Sequence, residues 1–210
     1  MKKGKIDIEK VSLAIILILV LGLSIFSLTG FFGSQTKQVN TMPKGNIGNK
    51  IGTRDSLESR FAMLSNEHTN FCAKAGFIAS KSDDERLQGS CCSKMDFNSY
   101  KEQVEGLKKY SNIPQIPNDP YDISVAQAKE LLAFKEKIIL TMQQQAIYDD
   151  AMKMSDEHGP CCCKCWRWDA FEGLAKYLIT QHNFNAKQIA EVWDLEDGCG
   201  GKGHEHKMAA

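Results

Sequence analysis

From Val11 to Phe32 the chain carries no charged side chain. The run VSLAIILILVLGLSIFSLTGFF also has no polar face when wound as a helix. At about 1.5 Å per residue, such a helix crosses the roughly 30 Å hydrocarbon core of a bilayer. A soluble helix of this length keeps a charged or polar side toward water. Cleaved signal peptides have a shorter apolar region, about 7–15 residues, and then a small-residue cleavage site. This run is longer and closes on Thr29, Gly30, Phe31 and Phe32. A lipid-anchored cysteine at its end is excluded, because the first cysteine is Cys72. Residues 11–32 therefore read as an uncleaved transmembrane signal anchor, and the membrane is the first expected partner.

Orientation follows from the flanking cations, since loop lysines and arginines stay on the cytoplasmic side. Lys2, Lys3, Lys5 and Lys10 precede the span, and the first basic residue after it is Lys37, with Lys44, Lys50 and Arg54 farther on. Residues 1–10 are thus expected in the cytoplasm. The remainder, with all eight cysteines, is expected outside a cell membrane crossed once.

The stretch 33–55 is polar, bears several glycines and has few large apolar groups. It buries too little surface to offset its ordering entropy and reads as a flexible linker. Residues 200–210, GGKGHEHKMAA with the preceding Gly200 as its first member, read as a flexible His-containing tail. Between them, residues 56–199 form one expected extracytoplasmic domain. The full chain holds 26 basic and 26 acidic residues, a formal charge of +0. That balance argues against binding nucleic acid through a broad basic surface.

Helical periodicity dominates the outer domain. Ser56 is placed to cap a helix carrying Leu57, Phe61 and Leu64, and Asp96 to cap one carrying Tyr100, Val104, Leu107 and Tyr110. Prolines 114, 117 and 120 predict an extended, semi-rigid connector. A long helical pattern from Ser124 presents Ala128, Leu131, Leu132, Ile138, Ile139 and Met142. Trp166–His182 and a short helix after Asn185 complete the pattern, and strand signals are weak. The expected fold is all-α, an irregular cysteine-rich bundle of four or five helices. The final two helices resemble a helix-turn-helix in outline only; neutral charge and outward location favour a plain αα-hairpin.

The chemistry concentrates in HGPCCCKCWRW, residues 158–168, where Cys161, Cys162, Cys163 and Cys165 fall within five positions. The other four cysteines are Cys72, Cys91, Cys92 and Cys199. If Pro160 opens a helix, Cys161, Cys162 and Cys165 share one face and Cys163 diverges. Free N–H groups at that helix start would favour thiolates, the form that binds soft metals and attacks disulfides.

Three readings compete. The first is a soft-metal hub of Cys161, Cys162 and Cys165, completed by Cys199, Cys91 or Cys92. Cys163, Cys72 and His158 stand as further candidate ligands. Copper or zinc suits that donor set, and an iron–sulfur cluster suits it less, because the spacing departs from the ferredoxin run. Such a protein would sequester, deliver or sense metal, with a protein partner at the cell surface. The second reading is a disulfide-stapled structural or interaction domain, which an outward location permits. The third is a membrane-tethered thiol oxidoreductase using the C-x-x-C of Cys162 and Cys165, although no βαβ pattern surrounds it.

His204 and His206 on the tail, and His68 and His182 on helices, read as solvated or packing residues. Trp166, Trp168 and Trp193 read as core around the cysteine site. Met95, Met142, Met152 and Met154 read as helical core in preference to copper ligands. Asp194, Glu196 and Asp197 read as solvated charges at a helix end. No arrangement of catalytic side chains is evident, so the chain reads more as a binding protein than as an enzyme.

Overall fold

The computed structural model describes residues 56–200. The predicted transmembrane anchor 11–32, the linker 33–55 and most of the tail lie outside the described residues. Among the described residues no helix is long and apolar enough to cross a membrane.

Among the described residues seven α-helices run in chain order: α1 Leu57–Leu64, α2 Gly76–Ala79, α3 Phe97–Leu107, α4 Val125–Lys137, α5 Met142–Met154, α6 Trp166–His182 and α7 Ala186–Leu195. The helical expectation holds, with more and shorter helices than four or five. Side-chain caps explain where the chain starts five of the seven, α2 and α6 having none. Ser56, Ser124 and Asn185 each accept the N–H three residues on, and Asp96 accepts those of Asn98 and Ser99. Such side-chain oxygens satisfy donors that have no partner within the helix, worth about 1 kcal/mol per cap. Helix α6 stops at Asn183, which takes the left-handed conformation and returns its N–H to the Leu178 carbonyl.

The pattern expected to run from Ser124 to Met154 breaks in the middle. Ile138 is extended, and Thr141 opens α5 with a reciprocal capping box to Gln144. Ile139 and Met142, expected in the buried stripe, are therefore 90% and 86% exposed. Met154 is also exposed, so two of the four singled-out methionines are surface residues.

A two-stranded antiparallel ladder was not expected. Strand β1, Arg86–Gln88, pairs with β2, Asp122–Ser124, with Leu87 opposite Ile123, and both side chains are buried. Three residues per strand are too few to display a period of two. The proline segment is likewise no extended spacer. It folds into successive turns that bury Ile113 and Ile116. It also buries Asp119, which accepts hydrogen bonds from Arg60 Nε at 2.7 Å and Tyr100 Oη at 2.8 Å.

The main core lies between α4 and α6, the most extensive helix pair. Leu131, Ala170, Phe171, Leu174, Ala175 and Leu178 are all essentially inaccessible there. Gly173 makes the close approach possible, because a Cβ at that position would overlap the Leu131 carbonyl. Helix α7 closes the other side with Ile189, Val192 and Trp193, whose indole N–H donates to the Phe171 carbonyl at 3.1 Å. This layer fixes the start of α6 and the end of α7, the two points from which the loops of Cys161–Cys165 and of Cys199 depart.

Candidate metal centre

Cys161 to Cys165 are not helical. Helix α6 begins at Trp166, and Cys165 is its extended N-cap residue, so the expected helix at Pro160 does not form. The reason is competition for the backbone. Cys165 N–H closes a tight turn on the Cys163 carbonyl at 2.9 Å, and Trp166 N–H donates to Ala73 in a distant loop at 2.7 Å. The predicted common face of Cys161, Cys162 and Cys165, with Cys163 pointing away, is replaced by a looped arrangement in which all four sulfurs find neighbours.

Those neighbours come from three other loops. The loop before α2 brings Cys72 and is held to the start of α6 by Trp166 Nε1 donating to Phe71 O at 3.1 Å and by Lys74 Nζ donating to Lys164 O at 2.9 Å. The loop between β1 and α3 brings Cys91 and Cys92. It is stitched to the segment after α7 by Cys91 N–H to Gly198 O at 3.1 Å and Ser93 N–H to Cys199 O at 2.9 Å. Cys199 N–H is itself capped by Asp197 Oδ1 at 3.0 Å.

All eight cysteines thus meet. Their sulfurs form four groups, each lying within 4.8 Å internally: Cys72, Cys92 and Cys163; Cys91, Cys92 and Cys199; Cys161, Cys162 and Cys199; Cys161, Cys163 and Cys165. Sulfur separations are 3.6 Å for Cys91–Cys92 and for Cys161–Cys199, and 3.8 Å for Cys91–Cys199. A metal–sulfur bond of about 2.3 Å spaces ligands about 3.8 Å apart in a tetrahedron and about 4.0 Å in a trigonal plane. These edges fit either. Two pairs are closer, Cys72–Cys163 at 2.7 Å and Cys162–Cys199 at 2.9 Å. None of the eight is bridged.

Exposure is graded. Cys161, Cys165 and Cys199 are buried, Cys91 and Cys163 are half-buried, and Cys72, Cys92 and Cys162 face solvent. Trp168 packs on the buried sulfurs as expected of it, while Trp166 and Trp193 belong to the helical core. His158 is exposed, has a left-handed backbone and joins no candidate ligand group. Cys162 and Cys165, the ends of the C-x-x-C, fall in different groups.

The electrostatics centre on residues that sequence reading passed over. Arg167 is 1% exposed and is the only buried basic residue among the described residues. Burial works against its charge, yet Cys91, Cys161 and Glu196 keep its pKa above the ordinary value. Its Nη2 donates to the Glu196 carbonyl, and a Cβ on Gly198 would come within 2.7 Å of the guanidinium carbon. Glycine at 198 is what lets the last loop lie against this cation.

Cys161 is drawn far below the usual thiol range by thiols of Cys165 and Cys199 donating to it, with Arg167 assisting. Cys91 falls to about 7, chiefly through Cys199 and, against the cost of burial, through Arg167. Cys165 and Cys199 are held up as the donors. A helix start at Pro160 was expected to lower these pKa values, but the lowering comes from neighbouring thiols and one arginine.

Glu196 and Asp197, expected to be solvated, are buried, and burial raises the Glu196 pKa well above the carboxylate range. Only the glycines flanking Cys199 hinted at close packing there. A groove of about 800 Å³ elsewhere on the described residues shares no residue with the cysteines. Its lining arginines, Arg60 and Arg86, are paired with Asp119 and Asp122.

No protein-family model, curated protein or solved structure matches the chain. The cysteine groups, which are able to hold a metal ion, are its defining chemical feature.

Proposed function

We propose that this protein is anchored in the membrane by residues 11–32 and binds soft metal outside the cell through its cysteine hub. Copper and zinc fit the thiol donors, and an iron–sulfur cluster fits them less well. The observation that carries this reading is the meeting of all eight cysteines, from four separate loops, in groups of three sulfurs each within 4.8 Å of one another. Thiolates select soft ions, and the buried Arg167 supplies a countercharge. Graded exposure gives the hub an entry path, since an arriving ion meets Cys72, Cys92 or Cys162 before the buried sulfurs. A purely structural zinc site is closed. Open access suits sequestration, or delivery to a partner whose own thiols reach the same rim.

The two shortest sulfur pairs, Cys72–Cys163 and Cys162–Cys199, favour the rival reading of a disulfide framework. One measurement separates them. The full chain is purified in detergent without oxygen or added metal, then assayed for elements and for free thiols after denaturation. Stoichiometric copper, zinc or iron with most thiols free supports the hub. No metal together with almost no free thiols leaves the disulfide framework in its place.

A further inference from the structure

The four cysteine groups are connected in an informative way. Cys92 belongs to the first and second, Cys199 to the second and third, Cys161 to the third and fourth, and Cys163 to the fourth and first. The groups therefore close into a ring of four triangles joined at four corners. The remaining sulfurs, Cys72, Cys91, Cys162 and Cys165, each belong to one triangle only.

From this connectivity we infer that the hub is a four-ion Cu(I)–thiolate ring, a conclusion that rests on the soft-metal reading above. Each ion sits in one triangle, bound by two shared sulfurs and one unshared sulfur. The bonds balance: four ions with three bonds each need twelve, and four sulfurs used twice with four used once supply twelve. No thiol is left over and no site is short.

Ligand number distinguishes the metals. Zinc in a structural thiolate site takes four ligands in a tetrahedron, and every candidate group among the described residues has three. Cu(I) is monovalent, soft and saturated by two or three thiolates, which also bridge readily between two such ions. An iron–sulfur cluster needs inorganic sulfide at its bridges, whereas here the cysteine sulfurs themselves stand at the shared corners. Filling the ring releases to solvent the protons that the sulfurs still carry and leaves copper as Cu(I), with no electron transferred. Eight thiolates and four Cu(I) leave a net charge of −4, and Arg167 is the buried cation beside it. The short pairs Cys72–Cys163 and Cys162–Cys199 lie within single triangles and must open by about 1 Å to reach a trigonal edge.

The test uses the full chain in detergent, reduced and kept from oxygen. It is titrated with Cu(I) against a chromogenic Cu(I) chelator and examined by copper X-ray absorption. The ring predicts a break at four Cu(I) per chain, three sulfurs per copper and a short copper–copper vector. A break at one or two ions, or zinc held by four sulfurs in preference to copper, overturns the ring but keeps a soft-metal protein. Failure to hold either ion overturns both readings.

Two exposed positions then probe the connectivity without touching the core. Cys72→Ser removes an unshared sulfur and weakens one site, leaving three tight ions. Cys92→Ser removes a shared sulfur and weakens two, leaving two tight ions. Equal losses from the two variants would show that Cys92 does not bridge.

Discussion

The α4–α6 layer and the cysteine hub are held together by opposite means. In the layer, regular helices present apolar faces, Gly173 lets them touch, and the Ser124 side chain closes the start of α4. In the hub there is no regular structure, only loops pinned by a few main-chain hydrogen bonds and eight sulfurs in four groups, each group within 4.8 Å. The layer needs nothing from outside to be stable, because burial of its apolar surface drives it. The hub is a concentration of weak donors whose cohesion increases once a metal supplies strong bonds. Between the two stands Arg167, on the first turn of α6, with its charge turned toward the sulfurs and its flat face over Phe171 at 4.9 Å.

The sharpest way to break that division is Phe171→Ala, at a fully buried position of the layer. A cavity there costs about 3–5 kcal/mol. Far-UV circular dichroism in denaturant should show the same loss in metal-loaded and metal-free protein. A loss confined to one of them would mean that layer and hub fold as a single unit.

Arg167→Met comes next. It removes the buried countercharge while keeping an apolar body of similar length. Leaving the hub's charge uncompensated should cost about 3 kcal/mol, read as metal lost to a competing chelator. Retention at the wild-type level would show that the sulfurs need no help from α6.

A smaller effect is expected at Glu196, whose folded pKa is raised. A raised carboxyl contributes stability below its unfolded value of about 4.3, and that contribution is lost as pH rises through the folded value. Glu196→Gln should flatten the decline in the denaturation midpoint as pH rises above about 4, gaining on the wild type toward the alkaline end. An unchanged pH profile would mean the carboxyl is not held neutral. The smallest effect belongs to Ile139→Ser at the exposed break between α4 and α5, expected within about 0.5 kcal/mol with metal binding unaltered. A large loss there would place Ile139 in an interface.

The same division decides what was legible in the sequence. Ser56 and Asp96 were readable as caps, and Trp166–His182 and the short stretch after Asn185 as helices, because caps and periodicity act over a few residues. The break at Ile138 was hidden under a continuous apolar pattern, and only the Thr141–Gln144 capping box marks it. Pro160 looked like a helix opener, but the Ala73 carbonyl takes the Trp166 N–H from ninety-three positions away. Long-range pairings of that kind also bury Glu196 and Asp197 and bring Cys72 to Cys163, and no local rule foretells them. The unusual density of cysteines was visible; the closed pattern of sharing among them was not.

Cys199 belongs to two of the four triangles, yet it is the last of the eight cysteines to be synthesised. It follows Cys92 by 107 residues (199 minus 92). At about 5–20 residues per second, roughly 5–20 s separate the two during translation. Within that interval the triangles of Cys72, Cys92 and Cys163 and of Cys161, Cys163 and Cys165 are already complete in sequence, while the two that share Cys199 still lack it. The order of the chain therefore makes Cys199 the residue that closes the ring: half of the triangles exist in sequence before it and the other half only with it.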